Sequence, residues 1–307
     1  MTMQRRTLLK AAAVLGTGIA WAHRTVAQEA ARPRHRAPPY AADCHIHIYN
    51  SRFPVAPNAM LLPPDAHVAD YRLVQQRLGT TRVVVVQPST YGTDNRCMLD
   101  ALAALGEEAR GIAVVNIGVA GDVLKRMDVA GVRGIRFNLV QFGATTLDMI
   151  EPLSRRIDDL GWHVELRIKG EQIAAAEDLL LRVPTPIVFD HVALVPPDAG
   201  TSHPAYRVVR RLIDRGRAWV KLSGTYQESK LGPPGYGDVG AVAAAFIKAA
   251  PERVVWGTGW PHPTARMNRP DEATLLDTLF DWAPNEAALE QIVVTNPEAL
   301  YGFAKAG

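Results

Sequence analysis

Two histidines separated by one residue end the first apolar run of the body of this chain, in Asp43-Cys44-His45-Ile46-His47-Ile48. Read as a β-strand, in which side chains alternate between faces, the run turns Asp43, His45 and His47 one way and Cys44, Ile46 and Ile48 the other. Two imidazoles on one face can ligate a metal, or polarise a carbonyl as neutral or charged groups. Further groups suited to chemistry close later apolar runs: Arg136 and Asn138, Arg167, Asp190 and His191, Lys221 and Ser223, and the segment 259–262 with His262.

Short β-branched runs recur at 42–46, 82–87, 111–116, 132–138, 163–168, 187–191, 218–222 and 254–258. Amphipathic stretches such as 98–109, 150–160, 173–182, 206–215 and 239–249 lie between them. Wholly apolar runs such as Val83-Val84-Val85-Val86 suit strands buried on both faces, as in parallel sheets. Eight strands alternating with helices over roughly 250 residues predict an α/β fold, a (β/α)8 TIM barrel forming a single domain over residues 41–303. A doubly wound open sheet fits less well, because no glycine-rich phosphate turn follows the first strand. In such barrels chemistry gathers at the C-terminal ends of the strands, where these polar residues fall.

The 307 residues are 48% hydrophobic and 21% charged, the composition of a soluble globular protein. The formal charge of +3 sits largely in residues 1–27, which hold Arg5, Arg6, Lys10 and Arg24 and no acid; without them 30 basic residues face 31 acidic ones. A near-neutral body gives no reason to expect nucleic acid or a membrane as partner of the mature protein, and the expected partner is a small-molecule substrate. Gln4-Arg5-Arg6-Thr7-Leu8-Leu9-Lys10 precedes a mildly apolar run, and Thr25-Val26-Ala27 offers a cleavage site. Residues 1–27 therefore resemble a signal peptide of the twin-arginine type, implying twin-arginine export machinery as a partner and a periplasmic or secreted location. Residues 28–40, with three prolines, read as a flexible lead-in. Cys44 and Cys97 are expected to be buried thiols, not a bridge.

In order along the chain, Asp43-Cys44-His45-Ile46-His47, Gln87-Pro88-Ser89, Arg133-Gly134-Ile135-Arg136-Phe137-Asn138, Phe189-Asp190-His191, Val220-Lys221-Leu222-Ser223-Gly224, Val255-Trp256-Gly257-Thr258-Gly259-Trp260-Pro261-His262-Pro263 and Asn296-Pro297-Glu298-Ala299-Leu300-Tyr301-Gly302 resemble the amidohydrolase superfamily in its family-2, amidohydrolase-related branch. Together they span nearly the whole mature chain. The resemblance is to its lactone-acting enzymes, and implies a hydrolase opening a small carboxylated lactone, with His45, His47 and His191 lining the reaction centre. Two departures matter. His163 stands at the wrong end of strand five to be a metal ligand. The family's Gly-Thr-Asp-Trp-Pro-His is here Gly-Thr-Gly-Trp-Pro-His, with Gly259 where the resemblance implies the aspartate that deprotonates water. Glycine has no side-chain acceptor. Either another group has taken over (Glu165 or Asp43 by strand parity, or His262), or the reaction is a lactone isomerisation that needs no activated water, or the chain is an impaired, small-acid-binding variant.

The three histidines could hold one Zn2+ or another divalent ion, whose bound water would need no strong base. Lactone-acting relatives with these histidines imply instead that no metal is obligatory, the imidazoles donating hydrogen bonds to the lactone carbonyl. Arg136 is the expected carboxylate clamp through its planar fork. Ser89, Tyr91, Arg167, Lys221 and Tyr226 are further candidates for substrate contact. Phe142 and Leu194 stand where the resemblance to dicarboxylate-lactone enzymes implies two more arginines, so a substrate with one carboxylate, or one derived from a sugar, fits better.

Overall fold

A computed structural model describes residues 32–141, 143–265 and 269–306. The signal segment expected at residues 1–27 and Phe142 lie outside the described residues. Eight parallel strands follow one another in sequence order: β1 Ala42–Ile46, β2 Arg82–Val86, β3 Ala109–Ala113, β4 Val132–Asn138, β5 His163–Arg167, β6 Ile187–Phe189, β7 Ala218–Leu222 and β8 Val254–Trp256. A parallel bridge from Ile46 to Trp260 joins the chain beyond β8 to β1, as the predicted (β/α)8 barrel requires. The helices are α1 Val68–Leu78, α2 Arg96–Leu105, α3 Gly121–Val129, α4 Ile150–Ile157, α5 Gly170–Ala175, α6 Glu177–Arg182, α7 Pro204–Asp214, α8 Gly237–Ala249, α9 Glu272–Trp282, α10 Glu286–Glu290 and α11 Asn296–Tyr301. None of them is long and apolar enough to cross a membrane.

The apolar strand runs are buried on both faces, as expected of a parallel sheet covered by helices. One face packs against the helices in the main core. The other fills the barrel with a second cluster that includes Ala42, Cys44, Val84, Val86, Ile112, Val188 and Val255, closed from below by Tyr301 and Phe303. His163 belongs to this lower end, its ring edge-on to Tyr301, far from the polar mouth. Both cysteines are buried free thiols. Residues 32–40 run along α1 and α9: the Ala37 amide donates to the Leu78 carbonyl, and Arg34 pairs with Asp277 and Asp281.

Strict alternation fails in β1, and the reason is a bulge. Asp43 pairs with Val83 and Ile46 with Val85, so β1 carries one residue more than β2 over this stretch. Cys44 therefore faces the barrel interior together with His45, while Asp43 turns the other way. Its carboxylate accepts from Tyr71 of α1, from the Thr258 hydroxyl and amide, and from the His45 amide. Asp43 thus ties β1 to α1 and to the segment after β8; it does not share a face with His45 and His47.

Candidate active site

A narrow cavity opens at the C-terminal ends of the strands. His45 of β1, His47 just past its end, Arg136 and Asn138 of β4, Arg167 of β5 and His191 after β6 supply its polar wall, with Ser89, Tyr226, Gln227 and Gly259 from the following loops. The His45 ring centroid is 5.0 Å from that of His47 and 4.9 Å from that of His191. The three histidines that the resemblance implied thus lie together at the mouth. Tyr49, two residues past His47, also lines the cavity; the parity of 45, 47 and 49 carried that signal, and it was missed.

Beneath the histidines lies a buried cluster of four charges. Glu165 Oε2 is 2.5 Å from Lys221 Nζ, and Lys221 is 3.7 Å from Asp190 Oδ1. Arg136 donates from Nε and Nη2 to Asp190 Oδ2 at 3.2 and 3.0 Å. Burial and the neighbouring Asp190 push Glu165 up to about 7, against the pull of Lys221 and Arg136. Burial also opposes ionisation of Asp190, but His45, Arg136 and Lys221 hold it well below the usual carboxylate range. Two expectations are corrected here. Glu165, bound to Lys221 and 3.7 Å from Arg136 Nε, shares its charge between two cations beneath the histidines, which makes it a poor base for water in the cavity, and Lys221 lies below the floor instead of among the cavity's lining residues.

The two arginines divide differently from the sequence reading. Arg136 spends two of its three nitrogens on Asp190. Arg167 meets only neutral amides, donating to Asn138 Oδ1 at 3.2 Å and Gln227 Oε1 at 2.8 Å, with no carboxylate in ion-pair distance among the described residues. Burial, then Arg136, lowers it to about 10, still fully charged near neutrality. Arg167 is therefore the better-placed anion receptor. Ser89 lines the cavity and accepts from Asn138 Nδ2 at 2.8 Å. Tyr91 does not line it: its hydroxyl both donates to and accepts from the Asn50 backbone, which fixes the loop after β1. Leu194 is buried away from the cavity.

Burial keeps the histidines neutral. It lowers His47 and His191 to about 3, with Arg136 reinforcing it at His47 and Arg167 at His191, and puts His45 well below its ordinary value. His47 Nδ1 lies 2.7 Å from the Val86 carbonyl, which can only accept, so the proton is on Nδ1 and Nε2 presents a lone pair. The neutral His47 ring is thus an acceptor, not the carbonyl donor expected of it. His191 Nδ1 lies 2.9 Å from Ser223 Oγ, a hydroxyl that serves either tautomer. Four consecutive non-glycine residues, His191 to Leu194, have φ between 42° and 57°, a left-handed turn costing about 1–2 kcal/mol per residue. Gly224 lets it pack: a Cβ there would come within 2.5 Å of His191 Nδ1.

A dication fits this donor set poorly. His45, Asp190 and His191 do bring three ligand atoms within 4.8 Å of one another. Yet Arg136 and Lys221 already neutralise both carboxylates of the buried cluster, and a divalent ion would add uncompensated positive charge there.

His262 stands behind this wall. Its Nε2 is 3.1 Å from Glu272 Oε1, and its Nδ1 is buried without a hydrogen-bond partner. Glu272, which the sequence reading missed, is the first residue of α9 and pairs in turn with Arg77 of α1.

Eight parallel strands with a histidine-rich, charge-lined mouth define a barrel of the kind that builds enzymes from its strand ends. The amidohydrolase family model matches residues 42–303, and this chain belongs to that family. It is 32% identical to a 2-pyrone-4,6-dicarboxylate hydrolase of Comamonas testosteroni, over 88% of this chain and 92% of the relative. It is also 32% identical to a D-galactarolactone isomerase of Agrobacterium fabrum, over 88% of this chain and 93% of the relative. An apo crystal structure of an Agrobacterium tumefaciens protein superposes with a TM-score of 0.84 at 32% identity, covering 90% of this chain and 98% of the other.

Proposed function

We propose that this protein is a lactone hydrolase: it binds a small lactone bearing a carboxylate and opens the ring with water. The observation that carries the reading is Arg167, a buried, fully charged guanidinium lining the cavity and hydrogen-bonded only to neutral amides. A fork of that kind takes a substrate carboxylate through two parallel hydrogen bonds. The ring carbonyl then lies among His45, His47 and His191, with Arg136 Nη1 and His191 as the available donors for the developing oxyanion. Family relatives that act on lactones support the same reaction class. The charge balance of the floor favours catalysis without an obligatory metal.

The test is turnover of a panel led by the γ-lactone of hydroxyglutarate, in water enriched in heavy oxygen. Hydrolysis places one solvent oxygen in the product, and His191→Ala abolishes it. Gly259 favours a second reading, lactone isomerisation, in which an internal hydroxyl attacks and no solvent oxygen enters. No turnover across lactones of either kind would reject both. The Arg5-Arg6 leader supports export by the twin-arginine route to the periplasm or beyond; replacing both arginines with lysine should leave the precursor in the cytoplasm.

A further inference from the structure

Gly259 presents no side chain to the cavity wall in front of Tyr226 and His262. A Cβ built on Gly259 would lie 3.2 Å from the Tyr226 hydroxyl and 4.0 Å from His262 Nδ1. The backbone is left-handed there, φ 77°, which suits glycine. Gly259 and Tyr226 both line the cavity of His45, His47 and His191, and the Tyr226 and His262 rings meet edge to face at 5.3 Å. The niche is therefore polar on two sides. The Glu272 carboxylate can only accept from Nε2, so Nε2 carries the proton and the buried Nδ1 presents an unused lone pair.

We infer that His262 and Glu272 form the water-activating dyad of this enzyme, His262 Nδ1 being the general base that stands in for the missing aspartate across Gly259, and Glu272 the positioning residue. This rests on the lactone reading above. In the step, water oxygen bonds to the lactone carbonyl carbon, one water proton passes to His262 Nδ1, and the carbonyl π pair becomes the oxyanion. On collapse the ring C–O bond breaks and its oxygen leaves with the proton from His262, giving the hydroxy acid. Glu272 exchanges no proton; it fixes the tautomer and steadies the transient imidazolium. Arg77 of α1 holds the other oxygen of Glu272 and also pairs with Asp271, so the dyad is anchored from outside the barrel.

His47 is the competing base, since its Nε2 also presents a lone pair. Its surroundings argue against it: Arg136 faces His47, whereas a carboxylate backs His262. The charged and titratable groups around His262 are Glu272, Asp271 and Arg269 on the α9 side, Tyr226 after β7, and Asp65 and Asp70 across the outer cavity that His262 also lines. Burial leaves His262 below its ordinary value, so it is neutral and able to accept a proton at pH 7.

The experiment pairs histidine-selective nitrogen NMR of the full mature protein with pH–rate profiles on the γ-lactone of hydroxyglutarate. Expected are the Nε2-protonated tautomer of His262 and an acid limb of kcat/KM below pH 6.5, with activity lost as Nδ1 takes a proton. H262N should lower kcat by about 10²–10⁴-fold with little change in KM. E272Q should lower kcat and move the acid limb to lower pH, because the carboxylate that raises the His262 pKa is gone; E272D should restore part of that displacement. A protonated Nδ1 in the free enzyme, or lactone turnover by folded H262N at the wild-type kcat, overturns the dyad. If no lactone is turned over, the lactone reading fails and takes the base role with it, whereas a protonated Nδ1 with turnover intact overturns the dyad alone.

Discussion

Arg136 and Arg167 line one cavity, and exchanging each for methionine should separate a structural guanidinium from a recognition guanidinium. In R167M the two lost partners are neutral side-chain amides, Asn138 and Gln227, so no buried charge is stranded. A lost charge-assisted pair to a substrate carboxylate is worth about 1.5–3 kcal/mol. That is a fall of about 10–150-fold in kcat/KM, carried mainly by KM because the carboxylate is bound alike in ground and transition states. In R136M the lost partner is Asp190, which keeps only Lys221 at 3.7 Å and His45 at 3.4 Å. Breaking a buried pair by removing one member costs about 3–5 kcal/mol; with Lys221 still close, about 3 kcal/mol is expected, a fall in Tm of about 6–12 °C for a domain of this size. Steady-state kinetics on the γ-lactone of hydroxyglutarate and on unsubstituted γ-butyrolactone, with calorimetric melting of both variants, reads all of this. R167M should lose the carboxylated substrate and leave the neutral one within a few-fold. Equal losses on both lactones, or an R136M that melts like the wild type, would refute the division of labour.

Other consequences follow from the same contacts. K221M strands Glu165 beneath the site and should destabilise by about 3 kcal/mol, while E165Q/K221M recovers most of it; a double-mutant cycle in urea that comes out additive would contradict the pair. Exhaustive chelation, with elemental analysis of the treated protein, should leave kcat unchanged, since the floor cluster is already charge-balanced. D43A removes the acceptor of four buried donors and should cost at least about 2 kcal/mol in denaturant melts. It should also depress kcat, because the bulge that aims His45 is held by that carboxylate.

Periodicity carried the barrel because a strand buried on both faces writes itself as an unbroken apolar run, and Val83 to Val86 can be little else. Strand ends were legible for the same reason: a polar residue is tolerated only where a strand reaches the mouth, as with His47, Asn138 and Arg167. Parity failed where the backbone departs from alternation. Asp43 was grouped with His45 because a bulge of one residue leaves no mark in residue types. Partner choice was also hidden. Arg136 and Arg167 look alike along the chain, and only the fold places Asp190 against the first and amides against the second. Glu272 was invisible, since an acid opening a helix is ordinary N-terminal chemistry until a histidine from the preceding loop turns onto it.

The four charges under the floor decide which groups above them can bear charge. With Arg136, Lys221 and Arg167 buried close by, protonating His45, His47 or His191 would add a fourth buried cation, and burial alone already disfavours it. Near neutral pH the imidazoles are therefore uncharged. Positive charge for an anionic substrate must come from guanidinium groups, which do not deprotonate there. On the proposed reading, carboxylate binding falls to Arg167 and the histidines accept or donate single hydrogen bonds. A base within this ring would have to gain a proton against the same cations. His262 escapes that constraint: it stands behind Gly259, next to a carboxylate instead of a guanidinium, with its free Nδ1 4.0 Å from the point a Cβ of residue 259 would occupy.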